Sequence, residues 1–153
     1  MSLLPLLAAL LLTPPADARG RAATAVAAPA APADVSGLAK QESATGLSWY
    51  VVKAGDGSTV VKGDTVFVHY TGWLADGTRF DSSWERGEPF SYQVGAGRVI
   101  KGWDEGVVGM QPGEIRQLHI PAKLGYGASG AGGVIPPDAD LVFDVQLMKI
   151  RGG

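Results

Sequence analysis

Cysteine is absent from all 153 residues. Disulfides, thiolate zinc sites and a lipid-anchored cysteine are therefore excluded. Histidine is nearly as scarce. His69 and His119 are the only two, and they do not stand at a spacing that a metal site uses, so no metal is expected. Neither sign of charge dominates: 13 Lys and Arg against 15 Asp and Glu leave a formal charge of −2. Without a basic stripe to neutralise phosphates, nucleic acid is not expected as a partner. No apolar run approaches the roughly 20 residues needed to cross a bilayer, so no stable membrane span is expected either.

What the chain does have is unevenly distributed. Its hydrophobic content is 46%, enough for one packed domain of about 100–150 residues plus a tail. Residues 1–18 form a segment of their own: Leu3 to Leu12 is almost wholly Leu and Ala, and Ala16-Asp17-Ala18 follows. The run suits the apolar centre of an export signal, and the small residues suit a signal peptidase. The basic residue that usually precedes such a run is missing. The expectation is an exported protein, periplasmic in a Gram-negative bacterium, and cytoplasmic if the segment is not a signal. Residues 19–45 are rich in Ala and Pro and read as a linker, with Val35 to Thr45 either continuing it or forming one helical turn.

From residue 46 onward strand patterns dominate. Leu47 to Lys53, Thr65 to Thr71 (reaching Leu74 at most), Phe90 to Val94, Glu114 to Ile120 and Leu141 to Ile150 are β-rich runs bounded by Gly, Pro and Asp. Asp76-Gly77 is a tight-turn signal after the second run. The helix candidate is Lys101 to Val108, with Trp103 and Val107 on one face and Gly109 as its cap. Gly102 and Gly106 each weaken a helix by about 1 kcal/mol; a helix that tolerates both is expected to lie close against a sheet. Five runs and one short helix predict an α+β domain, an antiparallel sheet with a helix on one face.

Several chemistries can be set aside. Gly125-Tyr126-Gly127-Ala128-Ser129-Gly130 matches G-x-G-x-x-G, but Gly132, Gly133, Pro136 and Pro137 leave no room for the helix that dinucleotide binding requires. His69 neighbours Tyr70 on a strand, so the two point to opposite faces, and neither histidine has a visible acid or nucleophile partner. Ser82 and Ser83 read as turn or cap residues rather than nucleophiles. Asp104 and Glu105 are adjacent on the helix and read as a solvated patch.

The remaining signal is aromatic. Tyr70, Phe80-Asp81, Phe90, Val99-Ile100-x-x-Trp103, Tyr126, Ile135 and Phe143 recur in an order, and with turns between them, that resembles the FKBP-type peptidyl-prolyl cis-trans isomerases. The resemblance covers about two-thirds of the chain and implies an isomerase domain over residues 46–151. It implies a five-stranded antiparallel sheet wrapped around one short helix. It implies catalytic roles for Asp81, Tyr126, Phe80 and Phe143, and substrate binding by Tyr70, Phe90, Val99, Ile100, Trp103 and Ile135. Trp103 would floor a hydrophobic cavity, and the Ile100 N–H would donate to a ligand. The implied activity is rotation about X-Pro peptide bonds in unfolded or flexible polypeptides, assisting folding, with no cofactor. Macrolide immunosuppressants are implied as ligands. Two departures stand out: Ala131 replaces a His frequent at the pocket rim, and Tyr92 replaces a frequent Phe, which leaves a hydroxyl to satisfy. No inserted chaperone domain and no long dimerising helix are evident, so a monomer is expected. The competing readings are a proline-binding module without catalysis and a holding chaperone.

Overall fold

The computed structural model describes residues 28–152. The proposed signal, residues 1–18, lies outside them. Seven strands form one antiparallel sheet: β1 (Gln41–Glu42), β2 (Ser48–Lys53), β3 (Thr65–Leu74), β4 (Arg79–Ser82), β5 (Phe90–Gln93), β6 (Ile115–Ile120) and β7 (Leu141–Arg151). Their order is β1-β2-β6-β7-β3-β4, with β5 also on β3. The expected count was five. The excess has a simple origin. β4 pairs with the 71–73 end of β3 and β5 with its 65–68 end, so these two share one lane. Five lanes remain, and the two-residue β1 adds a short sixth beside β2.

Alternation sorts the central strands into two faces. Val66, Val68 and Tyr70 of β3 are buried, as are Phe143, Val145 and Leu147 of β7, all on the inner face. His69, Thr71 and Trp73 of β3, with Asp144 and Gln146 of β7, take the outer face. The one α-helix among the described residues, α1 (Lys101–Gly106), lies on the inner side. It is shorter than expected, because residues 107–109 turn away and Gly109 takes a φ of +88°.

Glycine decides how closely α1 sits. A Cβ at Gly102 would come within 2.6 Å of Ile120 Cγ2, and one at Gly106 within 2.9 Å of Leu118 Cδ1. The close contact inferred from those two glycines is therefore present. Both ends of the helix are tied. Arg116 Nη1 donates to the Gly106 and Val108 carbonyls at 3.0 and 3.1 Å, while Glu114 holds its Nε at 2.9 Å. Asp104 accepts the Gly95 N–H at 2.9 Å and the Gly97 N–H at 3.0 Å. Glu105 accepts from Thr45 Oγ1 at 2.8 Å. The reading of Asp104 and Glu105 as a merely solvated patch is thus corrected: both anchor loops.

The ordered body also reaches upstream of Gly46. β1 lies within the predicted linker, as does a Val35–Leu38 turn closed by the Leu38 N–H at 3.0 Å. Residues 28–33 run over the outer face of the sheet, where Trp73 Nε1 donates to the Ala30 carbonyl at 3.1 Å.

Candidate functional site

The site begins with Trp103, fully buried in the first turn of α1. Three rings meet it edge-on: Tyr70 at 4.9 Å, Phe143 at 5.3 Å and Phe90 at 6.0 Å. Such edge-to-face pairs are favourable because a ring's positive rim meets a negative face. Phe80 continues the chain, perpendicular to Phe143 at 5.5 Å. Gly72 makes room for this pair. A Cβ there would lie 2.6 Å from Phe143 Cε2 and 2.7 Å from Phe80 Cζ. Val99, Ile100 and Ile135 are buried in the same core. Ile100 is the extended N-cap of α1, so its N–H precedes the intrahelical ladder.

A strand of regular pleat would send Phe80 and Asp81 to opposite faces. Here the pairing of β3 with β4 slips between Gly72↔Asp81 and Trp73↔Arg79. Phe80 is the extra residue of a β-bulge, and the local kink lets ring and carboxylate serve one face. Asp81 is buried beneath the rings. Its Oδ2 accepts from the Tyr70 hydroxyl at 2.6 Å and its Oδ1 from Arg86 Nη1 at 3.1 Å. Arg86 Nη2 in turn donates to the Tyr70 hydroxyl at 2.9 Å, closing a three-membered ring of polar groups. Burial raises the Asp81 pKa, and the bonds from Tyr70 and Arg86 oppose that rise. Tyr70 is held well above its ordinary value, chiefly by burial and then by the Asp81 charge. Arg86 was not singled out in the sequence. It follows five residues after Asp81 on the 3₁₀ turn Trp84–Arg86, which brings the guanidinium back to the carboxylate.

Tyr126 is nearly buried, and its hydroxyl finds no hydrogen-bond partner among the described residues. Burial first, and then the charge of Asp81, hold its pKa well above the ordinary value, so it remains a neutral O–H donor at any physiological pH. The loop that follows folds onto itself. Ala131 and Ile135 exchange both backbone bonds, at 2.8 and 3.0 Å, and the Asp138 N–H returns to the Gly127 carbonyl at 2.8 Å. Residues 127–129 make one 3₁₀ turn, not the helix that a nucleotide site would need. Tyr92 packs on Phe90 and Trp103, and its hydroxyl is buried with no hydrogen-bond partner among the described residues; this is the hydroxyl that the exchange for Phe leaves to satisfy.

The two histidines stand outside this site but are not partnerless. His69 Nδ1 lies 2.8 Å from Ser83 Oγ, and its ring stacks on Trp84 at 3.7 Å. His119 Nε2 lies 2.7 Å from Gln117 Oε1. Ser83 Oγ also accepts the Tyr70 N–H at 2.8 Å. Ser83 therefore ties β3 to the chain after β4; it does not cap the following turn with its side chain.

Buried rings around Trp103, one tethered acid and one unpartnered phenol make a site suited to an apolar group with an adjacent carbonyl. Among the described residues no nucleophile–base pair faces it. The comparisons agree with that chemistry. Residues 57–148 match the family model described as FKBP-type peptidyl-prolyl cis-trans isomerase. An FK506-binding protein of Neisseria meningitidis serogroup C is 58% identical over 94 residues, 61% of this chain and 86% of that protein. The peptidyl-prolyl cis-trans isomerase FPR2 of Saccharomyces cerevisiae is 60% identical over 90 residues, 58% of this chain and 67% of that one. In the crystal structure of FkpA from Escherichia coli, the similar region has a TM-score of 0.69 and 43% identity; it covers 74% of this chain and 52% of that one, so this chain matches about half the length of FkpA. The chain thus belongs to the FKBP family and is a peptidyl-prolyl cis-trans isomerase, an enzyme that turns X-Pro peptide bonds and assists protein folding.

Proposed function

We propose that the cluster of rings around Trp103 forms the cavity where the proline binds, and that catalysis there rests on exclusion of water. The observation that carries this reading is the convergence of Tyr70, Phe90 and Phe143 on one buried indole, with the Tyr126 hydroxyl left unpartnered beside them. An X-Pro bond turns slowly because amide resonance sets a barrier of roughly 18–20 kcal/mol. The twisted amide has less charge separation than the planar one and loses less hydration on entering a dry cavity. Such a cavity penalises the flat ground state more than the turning state, which is differential stabilisation of the transition state. Each 1.4 kcal/mol or so of that preference is worth about tenfold in rate.

The residues divide the work. Trp103 supports the proline ring. Phe80, Phe90 and Phe143 exclude water, while Val99, Ile100 and Ile135 supply aliphatic contacts. Tyr126 donates to a substrate carbonyl, and the Ile100 N–H is a second donor. Asp81, tethered by Tyr70 and Arg86, sets the field around the rotating carbonyl. The preferred substrate is a flexible segment with a hydrophobic residue before proline. The same cavity takes FK506-type macrolides; Ala131 removes rim contacts that a larger side chain would make. Residues 1–18 act as an export signal, and residues 19–45 precede the isomerase domain, 46–151, with the part from residue 28 onward packed on its sheet. The protein works as a monomer in the periplasm. These assignments are supported by the Leu/Ala run of the N-terminus and by the sequence pattern, and mass spectrometry of the mature N-terminus tests them.

The deciding experiment for the site is a protease-free isomerisation assay on a Leu-Pro peptide, with circular dichroism run on the same samples. Asp81→Ala is expected to cut activity with the fold retained, and Trp103→Ala to harm both. Full activity in Asp81→Ala would remove the carboxylate from the mechanism. A holding chaperone would instead keep its effect on unfolded chains after Trp103→Ala.

A further inference from the structure

The isomerase site proposed above uses one face of the sheet. The opposite face holds a separate set of groups that no step above employs. Residues 28–34 (Ala-Pro-Ala-Ala-Pro-Ala-Asp) cross it, and side chains of four strands, β3, β4, β6 and β7, grip their backbone. Trp73 Nε1 donates to the Ala30 carbonyl at 3.1 Å. Arg79 Nη1 donates to the Ala28 and Pro29 carbonyls, each at 3.3 Å. Gln117 Nε2 donates to the Ala33 carbonyl at 2.8 Å. The one N–H taken up, that of Ala33, goes to Asp144 Oδ2 at 2.9 Å, and Gln117 steadies the other carboxylate oxygen at 2.9 Å. A cavity of about 180 Å³ lies beside the segment, lined in part by Pro29, Ala33, His69, Thr71, Trp84 and Asp144.

This pattern is selective. The face supplies donors to four carbonyls and an acceptor for one amide. An ordinary extended segment would bring an N–H at every residue and leave most of them facing donors. Proline lacks the N–H and holds its predecessor extended, so a segment with Pro at two of seven positions fits a donor-rich surface at small cost in chain entropy. Trp84, stacked on His69, gives the cavity an aromatic wall beside Pro29. Aromatic walls with N–H donors aimed at backbone carbonyls are the general chemistry by which proline-rich chain is recognised.

We propose that the outer face of the sheet is a second peptide-binding site, separate from the isomerase pocket, that takes extended Ala/Pro-rich polypeptide, and that residues 28–34 are its resident occupant. In the intact protein the resident segment has the advantage of tethering, equivalent to a local concentration of about the millimolar range. A client segment of the same composition occupies the face when the resident one leaves. The enzyme then holds a proline-rich chain on one side while turning a prolyl bond on the other.

The test uses the full chain, with NMR of the Trp73 indole N–H and the Gln117 side-chain amide as reporters. Ala33→Pro removes the N–H given to Asp144, and both reporter signals are expected to move as the segment lifts. A synthetic peptide of residues 28–34 is then expected to return them saturably toward their wild-type positions. The same peptide with both prolines changed to alanine is expected to bind roughly tenfold more weakly. Turnover of a Leu-Pro peptide should be unchanged throughout. The proposal is overturned if Ala33→Pro leaves the reporters in place, if the peptide fails to restore them, if the alanine peptide binds equally, or if the shifts fall on Trp103 and Tyr126 instead. Should Ala33→Pro disturb the sheet, the pair Arg79→Ala and Gln117→Ala serves, read at Trp73: the segment must lift and the added peptide must not bind. Binding to that double variant would also refute the assignment.

Discussion

Two tyrosines at the site look alike in sequence and differ in what their hydroxyls do. The Tyr70 hydroxyl bridges Asp81 and Arg86, whereas that of Tyr126 meets no described partner. Tyr70→Phe strips a buried carboxylate of one of its two hydrogen-bonding side chains, and a loss of about 1–3 kcal/mol of stability is expected. Tyr126→Phe removes nothing the fold uses. Its stability should stay within about 0.5 kcal/mol of wild type, while kcat/KM falls about tenfold, or 1.4 kcal/mol, if the hydroxyl bonds the turning substrate. Urea unfolding beside the peptide assay separates the two effects, and equal stability losses would refute the distinction. The rings and the acid were legible in the sequence because their order along the chain is distinctive. Arg86 was not, since its place over Asp81 depends on a one-turn helix whose direction no local pattern sets. Asp104 was misjudged for a related reason: its partners, the N–H groups of Gly95 and Gly97, belong to a loop with no periodic signal.

For α1, propensity and packing pull against each other. Replacing Gly102 or Gly106 with alanine would gain about 1 kcal/mol of intrinsic helix stability. Each new methyl, however, would stand under 3 Å from Ile120 or Leu118, both buried, and overpacking of this kind costs about 1–3 kcal/mol. Packing is expected to win. Either substitution should lower the melting temperature, and because Trp103 rides on the same helix, it should also slow isomerisation. A rise in melting temperature with full activity would show that the sheet yields. The helix and its closeness to the sheet could be read from the spacing of two glycines and Trp103. The bulge at Phe80 could not. It is a property of register between β3 and β4, and the sequence fixes which residues tend to be strand more firmly than which residues they face. The split of one lane between β4 and β5 was hidden for the same reason.

At the scale of the whole molecule, titration of buried groups outside the pocket should govern acid sensitivity. Burial holds both histidines below their ordinary pKa of 6.5, with help from Arg86 at His69 and from Lys40 at His119. Between those lowered values and 6.5 the unfolded chain binds more protons than the folded one, so stability rises with pH across that window and is lost as pH falls through it. Asp81 and Asp144 are shifted upward, first of all by burial. Just above 3.8 it is the folded state that binds more protons, and their contribution falls as pH rises. The combined variant His69→Asn, His119→Gln is therefore expected to flatten the dependence of unfolding free energy on pH below 6.5, as measured by urea titrations at half-unit steps. An unchanged slope would assign it to other groups. The division of the described residues into one sheet and one α-helix was evident from composition and pattern alone. What those could not reveal is that chain upstream of residue 46 returns to cover the sheet, because Ala and Pro carry no periodic apolar stripe and are held here through their backbone.

The divided lane has one more consequence. The sheet ends on one side in the two-residue β1 and on the other in two four-residue pieces separated by the turn that carries Arg86. Neither border gives an incoming strand enough unpaired backbone to zip along. An enzyme whose work is to meet chains that have not yet folded is thereby spared from recruiting them into cross-strand aggregates. The interruption that delivers a guanidinium to the active centre also guards its rim against amyloid-like growth.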